Sequence, residues 1–315
     1  MSLPDVEARA EIVVDLDAIR DNVAALKARA GDAAMMTVVK ADGYGHGLVE
    51  SARAARAGGA DWLGVAVPEE ALALRAAGDT GRVLCWLTVP GEDYTRPIDA
   101  GVDVTAYTVA EVEEIAAAAR SLGARARVQL KVDTGLSRGG ATDELWPALV
   151  EAAADAEQAG ALQVVGIWSH FACSDEPDHP SNDLQEKAFV QALKVVDAVG
   201  IEPEVRHLSN SAGALLRPWS SYDLVRCGIA SYGLSPAPDV VTSAELGLRP
   251  AMTARARLAL VKRVRAGAIP SPSNVARTPM ARPLCRPNGA GEPAPSARAR
   301  SALLPTSRWA SSGRW

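Results

Sequence analysis

Short apolar, β-branched runs alternate with longer amphipathic stretches from residue 11 to residue 228. The runs are MMTVVK (35–40), WLGVAV (62–67), RVLCWL (82–87), VDVTAY (102–107), RVQLKV (127–132), VVGIWSH (164–170), VRHL (205–208) and DLVRCG (223–228). Near-continuous apolar character over so few residues predicts strands buried on both faces. Between them, stretches rich in Ala, Leu, Glu and Arg at 47–58, 68–77, 108–121, 143–158 and 182–199, and a short one from Ser211, predict helices. Asp17 is expected to open an earlier helix that stops at Gly31, and Thr108, with Glu111 three residues on, to cap another. Eight parallel-type strands with helical crossovers in roughly 220 residues predict an α/β fold, a TIM (β/α)8 barrel, with an open α/β sheet as the alternative. No G-x-G-x-x-G follows a first strand and no G-x-x-x-x-G-K-[ST] occurs, which removes the usual dinucleotide and P-loop motifs.

Beyond the eighth run, MTARARLALVKRV (252–264) alternates as an antiparallel strand does. Such a strand needs a partner, and the sequence after it offers none. Composition marks the same point. The 315-residue chain is 48% hydrophobic with a net charge of −5. Residues 1–264, however, carry 25 Lys and Arg against 37 Asp and Glu, a charge of −12, whereas 265–315 carry 8 Arg and only Glu292, a charge of +7. The expected organisation is therefore a barrel with an N-terminal strand over 1–240, the start of an incomplete β domain over 241–264, and an Arg/Pro/Ala-rich disordered tail over 265–315. A reading-frame shift near codon 264 accounts for the reversal. Translating the other frames of the gene beyond that codon is expected to uncover a tyrosine-bearing β domain, and its absence there would count against the shift.

The basic tail lacks interleaved aromatics, so no nucleic-acid partner is expected. No apolar run approaches 18 residues, so no membrane span is expected either. The N-terminus has no apolar signal core, and Cys85, Cys173, Cys227 and Cys285 have no paired spacing. Both features point to the cytoplasm.

In a barrel, reactive groups belong at the C-terminal ends of strands. Lys40 ends one hydrophobic run and opens KADGYGHG; partial desolvation there favours an uncharged amine able to form a Schiff base. Alone, such a lysine more often extends to solvent. Another strand ends in Lys131-Val-Asp-Thr-Gly-Leu-Ser-Arg138, where a loop guanidinium offers a fork for a carboxylate. Further strands end at His170, at His207 ahead of Ser209-Asn210-Ser211, and at Arg226-Cys227-Gly228-Ile229. Barrels often bind phosphate through the last two such loops and a short helix. Cys173, Asp175, Asp178 and His179 follow His170 in one loop, but their spacing matches no zinc pattern, and Cys227 has no identifiable base beside it. No metal is expected.

The segments VVKADGYGHG (38–47), KVDTGLSRGG (131–140), SHFACSDE (169–176), HLSNSAG (207–213) and VRCGIASYGL (225–234) together resemble the alanine racemase family, in the same order, over about residues 9–264. The resemblance implies interconversion of L- and D-alanine on pyridoxal 5′-phosphate, supplying D-alanine for peptidoglycan, by a homodimer. It implies that Lys40 holds the cofactor as a Schiff base and is the base on the D face. Tyr44, Ser211 and the backbone at Gly228 and Ile229 would hold the phosphate. Arg226 would face the pyridine nitrogen with His207 behind it. Arg138 would orient the substrate carboxylate or the cofactor phenolate, supported by Lys131, a site of carbamylation in this family; His170 would orient the second base. In the family that base is a tyrosine from the C-terminal β domain of the partner subunit, and no tyrosine follows Tyr232 in this sequence. A non-catalytic barrel that binds the cofactor is the alternative reading.

Overall fold

A computed structural model describes residues 9–263 and 265. Eight parallel strands form its centre: β2 (Ala34–Val38), β3 (Trp62–Val65), β4 (Arg82–Cys85), β5 (Asp103–Ala106), β6 (Ala126–Lys131), β7 (Leu162–Trp168), β8 (Val205–His207) and β9 (Leu224–Cys227). They lie in the order β8-β7-β6-β5-β4-β3-β2-β9. Asp223 N–H to Arg206 O (3.0 Å) and Arg226 N–H to Ser209 O (3.0 Å) bring β9 back beside β8, so the sheet closes on itself as a barrel. Each expected strand is present at its place. Residues of these strands are almost all buried, as near-continuous apolar runs require.

The helices α1 (Leu16–Ala30), α3 (Leu48–Ala57), α4 (Pro68–Ala76), α5 (Thr95–Asp99), α6 (Val109–Leu122), α7 (Trp146–Gln158), α8 (Ser181–Ala198) and α9 (Ser211–Leu216) follow the strands, with a short turn α2 (Lys40–Gly45) after β2. Thr108 and Glu111 close a reciprocal capping box on α6. The cap of α1 differs from expectation: Asp15, not Asp17, accepts the Ala18 N–H at 2.9 Å, while Gly31 ends the helix as expected. Two aspartates stood close enough in sequence to compete, and the outer one has the extended backbone a cap needs.

The alternating segment also finds a partner. Met252–Ala256 forms β10, which pairs antiparallel with β1 (Ala10–Val14), in register from Val14 opposite Met252 to Ala10 opposite Ala256. The expected strand is thus shorter than 252–264, and its partner comes from upstream in the chain, not from the sequence after it. The compact unit that contains the barrel runs to Leu258. The tail, apart from Arg265, lies outside the described residues.

Candidate active site

Strand β2 delivers Lys40 to the C-terminal rim of the barrel, and the turn behind it is wound against the usual hand. Ala41, Asp42, Gly43 and Tyr44 all have φ between 52° and 62°. L-residues pay roughly 1–2 kcal/mol each for this conformation. The turn is held by Ala41 N–H to Glu70 Oε1 (2.6 Å), Gly43 N–H to Val39 O (2.8 Å) and Leu48 N–H to Asp42 Oδ1 (2.8 Å). Its product is the position of Tyr44, whose ring lies 5.0 Å from that of Tyr232; the Tyr232 hydroxyl in turn donates to Val38 O.

Tyr44 meets the loop after β9 at Gly228. A Cβ on Gly228 would stand 2.3 Å from the Tyr44 hydroxyl, so only glycine lets that hydroxyl reach the rim here. Gly228 N–H donates to Ser211 Oγ at 2.9 Å, tying the loop after β9 to the first residue of α9, which Asn210 caps through Gly213 N–H. The result is a cradle of two hydroxyls and a helix N-terminus. Gly228→Ala is expected to push Tyr44 aside, weakening about tenfold any phosphorylated ligand that this cradle takes, read by equilibrium titration, with a small effect on melting temperature.

These groups open on one cavity of about 660 Å³, lined among others by Lys40, Tyr44, Lys131, Arg138, His170, Ser211, Arg226, Gly228 and Ile229. His207 is fully buried and does not line it; the histidine sits behind Arg226. Trp86, Tyr107, Trp168 and Asn210 line the cavity as well, and sequence reasoning had not singled out the aromatic ones. Each of those three aromatics closes a strand run or follows it directly, the same position that drew attention to Lys40. Position was therefore a usable signal for them, but their residue type was not.

Four cations face this space: Lys40, Lys131, Arg138 and Arg226. One carboxylate, Asp175, is with them. The Lys40 amine and the Arg138 guanidinium make no hydrogen bond or salt bridge among the described residues. Burial, with help from the Arg138 charge, pulls the Lys40 amine below its ordinary value. Burial and the charges of Arg226 and Arg138 bring Lys131 down to about 8; its Nζ lies 4.5 Å from the centre of the Trp168 ring.

Arg226 organises the floor. Its Nη1 donates to His207 Nδ1 (2.8 Å), and the two hydrogens of Nη2 are shared among Ser169 O (2.8 Å), Leu208 O (3.1 Å) and His170 Nδ1 (3.2 Å). A guanidinium only donates, so both histidines must accept at Nδ1 and carry their proton on Nε2. Burial and the neighbouring cations hold both imidazoles well below their ordinary pKa, hence neutral. The remaining sequence candidates do not assemble. Among the described residues no group of three His, Cys, Asp or Glu is placed to hold a metal, and burial pushes the Cys227 thiol up to about 12, leaving no thiolate to act.

Comparison with known proteins agrees with this geometry. The family model described as alanine racemase, N-terminal domain, matches residues 14–236. An alanine racemase of Frankia casuarinae is 54% identical over 261 residues, 83% of this chain and 68% of that protein. One of Thermobifida fusca is 54% identical over 258 residues, 82% of this chain and 68% of that protein. Among solved structures, the alanine racemase of D-cycloserine-producing Streptomyces lavendulae superposes with a TM-score of 0.81 at 52% identity, covering 84% of this chain and 69% of that one. That of Corynebacterium glutamicum gives 0.74 at 37%, covering 80% and 70%. The matched stretch holds all eight barrel strands and every cavity residue named above, and with that the chain belongs to the alanine racemase family, a family of amino-acid racemases built on this barrel.

Proposed function

We propose that this chain holds pyridoxal 5′-phosphate in the cavity at the C-terminal rim and uses it on alanine, with L- and D-alanine interconverted where the site is complete. The observation that carries this reading is the charge of the cavity, four cations against one carboxylate. That surplus suits a phosphorylated cofactor together with a substrate carboxylate. When bound, the cofactor supplies a sink for the electron pair left at the α-carbon.

The residues fit such a group. Lys40 would hold it through Nζ, and Tyr44, Ser211 and the backbone at Gly228 and Ile229 would hold its phosphate. Arg226, a donor that keeps its proton, would leave the ring nitrogen unprotonated and the sink shallow. Arg138, without a hydrogen bond or salt bridge among the described residues, would take the substrate carboxylate or the cofactor phenolate. Lys40 Nζ, lowered toward the free amine, would take the α-proton on its own face and return it there. His170, with Nε2–H available and Nδ1 committed to Arg226, would orient a base on the other face. Inversion needs that second base, which the family resemblance places on a tyrosine of the partner subunit's C-terminal domain; no tyrosine follows Tyr232 in this sequence. The alternative reading is a barrel that only binds the cofactor. The racemase reading makes the chain a cytoplasmic homodimer serving peptidoglycan precursors. It also makes residues 241–264 the start of a second domain. Among the described residues no helix is long and apolar enough to cross a membrane.

Borohydride reduction of the chain mixed with pyridoxal phosphate, followed by peptide mapping, tests the assignment. The label is expected on the peptide carrying Lys40; label confined to exposed lysines would overturn it. Lys131 is proposed to add carbon dioxide at Nζ, losing a proton to give a carbamate beside Arg138. Only the neutral amine reacts. With a pKa of about 8 the carbamate signal from 13C-bicarbonate is expected to be small below that pH and to rise through it, and to vanish in Lys131→Met.

A further inference from the structure

Gln129 is a fully buried polar residue in the middle of β6, and its neighbours on the same face of the strand are Arg127 and Lys131. Its amide bridges two buried groups: His207 Nε2 lies 2.7 Å from Gln129 Oε1, and Gln129 Nε2 lies 3.2 Å from Asp103 Oδ2. Asp103, on β5, also receives Arg127 Nε at Oδ1 (2.7 Å). The direction of every bond is fixed. Arg226 can only donate, so His207 accepts at Nδ1 and donates from Nε2; Gln129 therefore presents its oxygen to His207 and its NH2 to the Asp103 carboxylate, which only accepts. Donors thus run one way, from Arg226 at the cavity floor to Asp103.

The path is built into the sheet. Gln129 on β6 reaches His207 on β8 across the intervening strand β7, and the residue of β7 opposite Gln129 is Gly166. A Cβ at Gly166 would lie 2.7 Å from both Cδ and Oε1 of Gln129. Beside this point the register of β6 against β7 shifts between Val128 and Gln129. Arg226 itself is buried, and all four of its hydrogen bonds go to neutral acceptors. A buried cation without a nearby anion is costly.

We infer that Asp103 is a positioning residue for Arg226, its carboxylate anchoring the relay through Gln129 and His207 that fixes the guanidinium at the cavity floor. The consequence for a bound cofactor rests on the reading that Arg226 faces the ring nitrogen; the relay itself does not. Burial raises the Asp103 carboxyl to about 7 against the opposing Gln129 hydrogen bond, so the exchange rates are read above that pH, where the carboxylate is present.

Three full-chain variants separate this role from packing. Gln129→Met keeps the bulk and cuts the relay, Asp103→Asn removes the anion, and Arg127→Met touches Asp103 only from the far side. The first readout is the imidazole 15N spectrum of His207 without cofactor, with the solvent-exchange rate of its Nε2–H. Wild type is expected to show a neutral Nε2–H tautomer. Exchange is expected to rise about tenfold in Gln129→Met and about fivefold in Asp103→Asn, and to stay within about twofold in Arg127→Met. The second readout, release of bound pyridoxal phosphate, is expected to quicken in the same order. Equal exchange in all three variants, or an unchanged rate in Gln129→Met, would overturn the relay. Should Asp103→Asn lose a native spectrum, Gln129→Met decides, because it leaves the Asp103–Arg127 pair in place. Failure of the wild-type chain to bind pyridoxal phosphate would overturn the cofactor reading alone, and the exchange rates would still decide the relay.

Discussion

Lys40→Ala is expected to abolish exchange of the α-proton of D-alanine, by at least about 10³-fold, while leaving the fold intact. The two halves of this expectation have one cause. The Lys40 amine is half-buried, lowered in pKa, and without hydrogen-bond or salt-bridge partner among the described residues, so it contributes chemistry and little stability. Removing a desolvated amine whose contact among the described residues is the Tyr44 ring face at 6.0 Å should change unfolding free energy by no more than about 0.5 kcal/mol. The visible band of lysine-bound pyridoxal phosphate should disappear in the same variant. His170→Ala, by contrast, is expected to keep that band, since His170 contacts Arg226 through Nδ1 and is proposed to act on the second base, not on the attachment of the cofactor.

Arg226→Ala should have the opposite profile, a large loss of stability. Four acceptors, His207 Nδ1, His170 Nδ1, Ser169 O and Leu208 O, share this one guanidinium, and no solvent reaches the fully buried ones in its place. Leaving buried acceptors without donors costs about 1–3 kcal/mol each, partly offset by removal of a desolvated charge, for a net loss of about 3–5 kcal/mol. In a domain of this size that lowers the melting temperature by about 10 °C. Arg226→Lys should fall between, because three donors on one nitrogen cannot reach acceptors spread over four residues from two strand ends. A loss under about 1 kcal/mol for Arg226→Ala, read by chemical denaturation, would mean that the floor is held by something else.

The barrel was legible in the sequence because each of its strands is buried on both faces and so reads as an apolar run; the helices between them carried caps such as Thr108 with Glu111. The partner of β10 was not legible, because pairing between residues 10–14 and 252–256 depends on the closed barrel bringing distant segments together, and periodicity reports only local order. Of the site, strand-end position marked Lys40, Arg138, His170 and Arg226. The left-handed turn at 41–44 left no such mark: three of its four residues are not glycine, and their strain is offset by Glu70 from a different helix. Gln129 and Asp103 were visible as polar residues inside apolar runs, yet nothing local says which other strand completes their hydrogen bonds. That knowledge came only with the third dimension, through Gly166 and the strand order.

The central claim is that these residues provide the chemistry of one face of the racemase site. Proton NMR of D-alanine in deuterium oxide, with the full chain and pyridoxal phosphate, tests it most directly. The account predicts loss of the α-proton signal, and no loss with Lys40→Ala. No exchange by a chain carrying bound cofactor, or exchange that survives Lys40→Ala, would contradict it.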